Sequence, residues 1–426
     1  MIQELKIKNF LSFKDEVTFS FEASNDKFAE DYQVVKINDN TRLLRFAVVY
    51  GYNASGKSNL LKAFEFLSDF WFAKRDDIDE KTGIIPFKLD LVSPNEHTSF
   101  ELVFYVDNTK YCYQLELDRN VVYFEKLSYY KTTQPLTLFE RTLEKDQSVI
   151  SFKNVKVSGA VKDEIIVKCF KNMSFFAARN QVNTSIPLID AAKEWMRIQM
   201  MQNIVPTSNL TGYAQRKTSE DSILVNYILD FLHEADFNIT DIKTNIVDRP
   251  IPEQLMDMLI NDEELPIKEK ERIKKDKSWK QLKTDFKHTV ENERGMETYQ
   301  LSSDNDEESR GTIRTFGLET ALYDAMHRNA FLAIDEIETS LHPKLLEKIL
   351  FEYLKTHSRS QLLVTTHNDG LLDLVDDLIR KDAVWFTEKK KSGVTDLYKL
   401  TDFRGINRLS SIREAYRNKR FGATMK

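Results

Sequence analysis

Residues 51–58 read Gly-Tyr-Asn-Ala-Ser-Gly-Lys-Ser, which places Gly51, Gly56, Lys57 and Ser58 at the spacing G-x-x-x-x-G-K-S. Each residue type has a task in that pattern. The glycines let the backbone curl until successive N–H groups face an anion. The start of the following helix adds a favourable dipole. Lys57 reaches the β- and γ-phosphates of a bound nucleotide, and the Ser58 hydroxyl can ligate Mg²⁺. Asn53, Ala54, Ser55 and Asn59 complete the expected phosphate cradle. Far along the chain, Phe331-Leu-Ala-Ile-Asp335-Glu336 ends an apolar run on two carboxylates. Asp335 is suited to hold Mg²⁺, and Glu336 to orient or deprotonate a water aimed at the γ-phosphate. Taken singly, an acidic pair can also be a helix N-terminus.

These groups need elements to bring them together. Leu43–Tyr50 is an apolar run and reads as a buried strand before the loop. From Asn59 to about Lys74, Leu60, Leu61, Phe64, Leu67 and Trp71 have helical spacing. Residues 1–22 alternate apolar and polar as two strands joined near Lys14-Asp15, and 98–152 alternates as an antiparallel meander. Residues 187–235 read as helices. So do 251–294, dense in both charges, with Trp279, Leu282, Phe286 and Val290 on one face. From Glu297 onward strand and helix patterns alternate: strand ETYQL, helix 311–328, strand 330–334, helix 343–356, strand 361–365, helix 368–379 and strand AVWFTE. The fold class expected is α/β: a mixed or parallel sheet carrying the phosphate loop, with an antiparallel lobe, split by a helical insert. The expected division is 1–180, an insert at 181–296, and 297–426. The insert is too short for a long coiled coil.

Further motifs carry a family resemblance. Glu308-Ser309-Arg310-Gly311-Thr312 resembles the signature motif of ABC-type ATPases in the SMC/Rad50-like and overcoming-lysogenization-defect-like branches. Glu338-Thr-Ser340-Leu-His342-Pro343 resembles their D-loop, His367 their switch histidine, and Lys8-Asn9-Phe10-Leu-Ser12-Phe13 their opening strand. The chain is most similar to bacterial AAA15/AAA21-type ATP-binding proteins, including RloA/AbiL-like phage-resistance ATPases, over about 1–180 and 297–426. The resemblance implies ATP and Mg²⁺ as ligands. It implies a two-fold dimer in which each ATP lies between Lys57 of one protomer and Ser309 of the other, with His367 sensing the γ-phosphate. By itself Ser309 is also an ordinary helix cap, and His367 an ordinary structural histidine. The sequence departs from the class at 84–92, where Ile85-Pro86-Phe87 stands and no Q-loop glutamine is found. Asn9, Phe10 and Tyr52 are candidates for adenine contact.

The 426 residues suggest two to three folding units at about 150 residues each. With 41% apolar and 30% charged residues, and only 12 Gly and 9 Pro, the chain reads as an ordinary globular protein. Two cysteines, Cys112 and Cys169, cannot form a disulfide framework. No secretory signal or apolar membrane span is read, so the expected home is the cytoplasm. A net charge of −6 argues against an overall basic surface, though not against a local basic groove. The tail carries Arg404, Arg408, Arg413, Arg417, Lys419, Arg420 and Lys426, readable as a nucleic-acid or partner contact or as a solvated helix. Asp77/Asp79 and Asp304/Asp306 read as loop acids rather than a nuclease centre. The function expected is an ATPase switch governing a separate nuclease- or toxin-like effector in antiphage defence. The alternatives are a DNA-binding ATPase of repair and an ATP-bound scaffold; a transporter subunit is disfavoured by the split insert and the form of the signature.

Overall fold

The computed structural model describes residues 1–235, 238–262, 265–303 and 307–424. Chain order is β1 (Ile2–Lys8), β2 (Val17–Ser20), α1 (Glu30–Gln33), β3 (Val34–Asn38), β4 (Thr41–Leu44), β5 (Phe46–Tyr50) and α2 (Lys57–Phe72). The meander follows as β6 (Thr98–Val106), β7 (Thr109–Leu117), β8 (Val122–Tyr130), β9 (Pro135–Glu144) and β10 (Gln147–Phe152). Next come α3 (Gly159–Lys168), α4 (Phe175–Arg179), α5 (Pro187–Gln199), α6 (Leu210–Glu220), α7 (Ser222–Glu234), β11 (Ile239–Pro250), α8 (Glu253–Asn261) and α9 (Ile267–Asp276). The rest is β12 (Ser278–Asn292), β13 (Gly295–Ser302), α10 (Arg310–Arg328), β14 (Phe331–Ile334), α11 (Pro343–Lys355), β15 (Gln361–Thr366), β16 (Val384–Lys389), β17 (Thr395–Lys399) and α12 (Ile412–Arg417).

The chain forms two compact units. The first comprises Met1–Pro206, Asp324–Thr339 and Ile349–Lys426; the second comprises Thr207–Tyr323 and Ser340–Lys348. The first unit holds two large sheets. One has the order β14-β15-β5-β16-β17, with β14, β15, β5 and β16 parallel and β17 antiparallel. β5 is Phe-Ala-Val-Val-Tyr, buried at every position, as a central parallel strand covered on both faces should be. The other sheet is antiparallel, in the order β10-β9-β8-β7-β6-β1-β2, so the opening hairpin extends the meander to seven strands.

Helix α2 links the two sheets through its apolar face. Phe64 lies 6.0 Å from Phe19 of β2 and 4.7 Å from Phe331 of β14, ring centre to ring centre. Phe19 in turn meets Trp385 of β16 at 4.9 Å. Trp71 stacks on Phe176 at 3.7 Å and meets Tyr113 edge-on at 4.7 Å. Offset and edge-on pairs of this kind contribute beyond the apolar area they bury.

Several expectations need correction. The run Leu43–Tyr50 is not one strand. It breaks at Arg45, whose guanidinium is buried and donates to the carbonyls of Tyr353, Leu354 and Thr356, closing the end of α11. The expected helix at 368–379 is a short 3₁₀ turn, Asp369–Leu374. Residues 251–294 are not all helical: α8 and α9 are followed by the strand β12, and ETYQL lies in antiparallel β13. β11, β12 and β13 form a separate three-stranded sheet in the second unit, so the insert is not purely helical. Leu282, Phe286 and Val290 are spaced by four, which fits one helix face and one strand face equally. Burial of Thr284 and Phe286 follows the period of two. α5, assigned from sequence to the insert, belongs to the first unit, where Trp195 stacks on Phe104 at 4.2 Å. Asp304 and Asp306 lie outside the described residues. Asp77 and Asp79 are exposed in a turn, with the Asp79 N–H donating to Asp77 Oδ1 at 2.9 Å.

The antiparallel lobe carries a fully buried ion pair. Arg141 donates to Glu125 at 3.0 Å, and Glu125 also accepts from Tyr113 Oη, Ser174 Oγ and the Phe175 N–H. Removing one partner strands a charge in the interior. Glu125→Ala is expected to cost about 3–5 kcal/mol in a urea unfolding titration. Cys112 and Cys169 are free and buried, and burial pushes their thiols up to about 12 and about 11. Both should stay unreactive to a disulfide reagent in the native protein and react together after unfolding.

Candidate functional site

The parallel sheet ends on the loop that carries the phosphate motif. β5 delivers Tyr50, the chain turns through Gly51–Gly56, and α2 starts at Lys57 with no side-chain cap on its first N–H groups. Gly56 has φ 112°, and a Cβ there would lie 2.5 Å from Thr395 Oγ1 and 2.9 Å from Ser12 Oγ. A Cβ on Gly51 would lie 2.4 Å from Ser55 Oγ and 2.7 Å from the Thr387 carbonyl. Both glycines are therefore required by space. Three hydroxyls from outside the motif brace the loop. Ser55 Oγ pairs with Thr387 Oγ1 at 2.7 Å, Thr395 Oγ1 donates to the Ser55 carbonyl at 2.8 Å, and Asn59 donates to Ser12 Oγ at 2.7 Å. Lys57 folds back, its ammonium donating to the Gly51 carbonyl at 2.7 Å. Burial lowers its pKa, opposed by the charges of Asp335, Glu336 and Glu338.

A cleft of about 380 Å³ opens over this loop, lined by residues 53–59, Lys62, Glu336 and Lys389. The structure thus brings Glu336 together with Asn53, Ala54, Ser55, Gly56, Lys57, Ser58 and Asn59. Asp335 is buried beside it, where its Oδ1 accepts the Thr365 hydroxyl. The same hydroxyl accepts the Glu336 N–H at 2.9 Å. Glu336 takes a left-handed backbone, φ 48°, and strained geometry of this kind gathers at functional positions. On the open edge of β14, the Met201 and Ile204 N–H groups donate to Phe331 and Ala333 at 3.0 and 2.9 Å, and the Asp335 N–H donates to Ile204.

His367 is 55% exposed at the end of β15, and its Nδ1 lies 2.9 Å from Glu338 Oε1. In the second unit Ser309 caps α10: its hydroxyl accepts the Thr312 N–H at 3.1 Å and meets the Thr312 hydroxyl at 2.8 Å. Ser309 and Arg310 are exposed, whereas Glu308 and Thr312 are buried. Gly311 faces the Ser340 carbonyl, which would stand 3.4 Å from a Cβ there. Exposed His342 starts α11, accepting the Leu345 and Leu346 N–H groups on its carbonyl.

All three candidates for adenine contact make other contacts. Asn9 is 1% exposed; its amide donates to the Ser93 and Glu96 carbonyls and its oxygen accepts the Phe87 N–H. Phe10 is buried against Phe66 and Phe100. Tyr52 donates to the Lys389 carbonyl at 2.8 Å. Residues 84–92 are tied down by Asn9 and by the Leu11 N–H, which donates to Ile85. In the tail, Arg413 and Arg417 pair with Asp369, and Arg413 also with Asp373, so these two cations serve the fold's own acids. Lys426 lies outside the described residues.

Sequence reasoning missed Lys62, Lys389, Thr365, Thr387 and Thr395. Lys62 stands four residues after Ser58, on the same helix face, which was a usable signal. The others depend on strand order. ATP and Mg²⁺ fit what is present. The glycine cradle, the uncapped start of α2 and Lys57 suit a triphosphate, while Ser58 and Asp335 would hold the cation. Two substitutions separate binding from chemistry. Gly56→Ala should abolish binding of a fluorescent ATP analogue in a titration. Thr365→Val should leave that binding within about threefold and lower kcat by about tenfold or more, through loss of hydrogen bonds to Asp335 and Glu336.

A search of curated proteins finds no match. Among solved structures the chain is similar to the SMC head domain from Thermotoga maritima, with 14% identity, 93% of this chain and 98% of that chain covered, and a TM-score of 0.40. It is also similar to a crystal structure of the SmcHead bound to the C-winged helix domain of ScpA, at 12% identity, 94% and 99% coverage and a TM-score of 0.42. Among the described residues no helix is long and apolar enough to cross a membrane. A family model, "AAA domain, putative AbiEii toxin, Type IV TA system", matches residues 46–167 and 192–373, taking in the phosphate loop, residues 308–312 and the Asp335-Glu336 strand end. With more than two thirds of its length so matched, the chain belongs to this AAA ATPase family.

Proposed function

We propose that the chain hydrolyses ATP as a nucleotide-gated homodimer and thereby controls a separate effector protein in cytoplasmic antiphage defence. The observation that carries the reading is the shared cleft: a carboxylate, Glu336, lines the same space as the phosphate loop and Lys57. Exposure of Ser309 and Arg310 at the start of a 19-residue helix supports the dimer, because that end is free to meet another protomer's triphosphate. The family's toxin–antitoxin description supports a system of more than one protein.

The residues divide the work. Lys57 and the N–H groups of 53–58 hold the phosphates. Glu336 accepts the proton of a water as its oxygen attacks the γ-phosphorus, and the bond to ADP breaks. Bound Mg²⁺, held by Ser58 and Asp335, would draw charge from the phosphate oxygens. Ser309 and Arg310 of the partner close the far side, and His367 changes its contacts when the γ-phosphate leaves. Loss of that shared phosphate loosens the dimer and changes what the effector meets.

Steady-state turnover and sedimentation velocity test this together. Glu336→Gln should lower kcat by about 10²–10⁴ and yield a stable dimer in ATP. Adding Ser309→Arg should return that protein to monomer. An unchanged rate in Glu336→Gln removes the catalytic assignment, and a dimer indifferent to Ser309→Arg removes the shared-site assignment.

A further inference from the structure

Glu308 immediately precedes the signature serine, and its side chain is only 5% exposed. Its two oxygens have different partners. Oε1 accepts the Ser309 N–H at 2.8 Å. Oε2 lies 2.6 Å from Nε2 of His288, whose side chain is 18% exposed. His288 belongs to no signature motif. It stands in β12, the middle strand of the three-stranded sheet, opposite Ile239 of β11 and Tyr299 of β13. A middle strand is held by backbone hydrogen bonds on both edges, so the histidine is delivered to Glu308 with little freedom.

A carboxylate this enclosed is stable as an anion only with donors on its oxygens. The histidine N–H supplies one and the Ser309 amide the other, so the pair pins the turn that leads into α10. On the other side stands the Ser340 carbonyl, which a Cβ on Gly311 would meet at 3.4 Å. The start of α10 is therefore braced through Glu308, while Ser309 and Arg310 remain exposed. Without His288, Oε2 would be left unpaired, and Glu308 would turn toward water and release the Ser309 amide.

We propose that His288 is a positioning residue for the signature: by holding the Glu308 carboxylate it fixes the turn that presents Ser309 and Arg310 to a second protomer's triphosphate. This rests on the shared-site reading above.

The test uses full-length protein carrying Glu336→Gln, with ATP-dependent dimerisation followed by sedimentation velocity. Adding His288→Ala should weaken the dimer about tenfold, the effect of losing one charge-assisted hydrogen bond. Binding of a fluorescent ATP analogue to dilute monomer should change by less than about twofold, since the phosphate loop is untouched. His288→Gln, which offers an amide N–H at a reach similar to Nε2, should restore the dimer to within about threefold. His288→Ala and Glu308→Ala should be non-additive, the double variant weakening the dimer no more than the worse single one. A dimer unaffected by His288→Ala but lost with Ser309→Arg overturns this proposal and spares the shared site. A dimer unaffected by both overturns the two together. Additive effects, or a His288→Gln variant no better than His288→Ala, reduce the histidine to packing and overturn the positioning role even if His288→Ala folds poorly.

Discussion

Parallel pairing of β14, β15 and β5 is the constraint on which the site depends. Ile334 is in register with Val364, and Thr366 with Tyr50. Because the three strands run the same way, their C-terminal ends leave the sheet on one edge. That edge receives the phosphate loop from β5, the Asp335-Glu336 pair from β14 and Thr365 from β15. Residues some three hundred positions apart become neighbours through backbone hydrogen bonds alone. A one-residue slip would turn every side chain to the opposite face and separate Thr365 from Asp335.

Around that edge the molecule fixes positions with hydroxyls rather than with charges. Thr365 serves Asp335 and Glu336, and Thr387, Thr395 and Ser12 serve the phosphate loop. A hydroxyl can donate and accept at once and adds no charge to compete with a bound nucleotide. The antiparallel lobe enters through the same contacts. Ser12 follows β1, and α2 carries Phe64 to both sheets. The lobe therefore contributes to the phosphate loop through Ser12.

The second unit shows how a regular pattern can be misread. Apolar residues at 282, 286 and 290 satisfy two periods, and the charged residues between them give a solvated face in either structure. Pairing with β11 and β13 settles the matter in favour of strand. α8 is amphipathic in sequence yet has no buried residue among Glu253–Asn261, so amphipathicity alone did not tell what it packs against.

The phosphate loop, the acidic strand end and the motif order were legible because their spacing is local. A glycine at left-handed φ, a lysine at a helix start and a carboxylate at a strand end are each dictated by their immediate neighbours. The sheet order, the hydroxyl braces and the His288–Glu308 contact were not. They join segments distant in the chain, and no local periodicity records which strand lies beside which. Tertiary structure decided those pairings, because only packing of α2 between two sheets and hydrogen bonding along strand edges select one register from many.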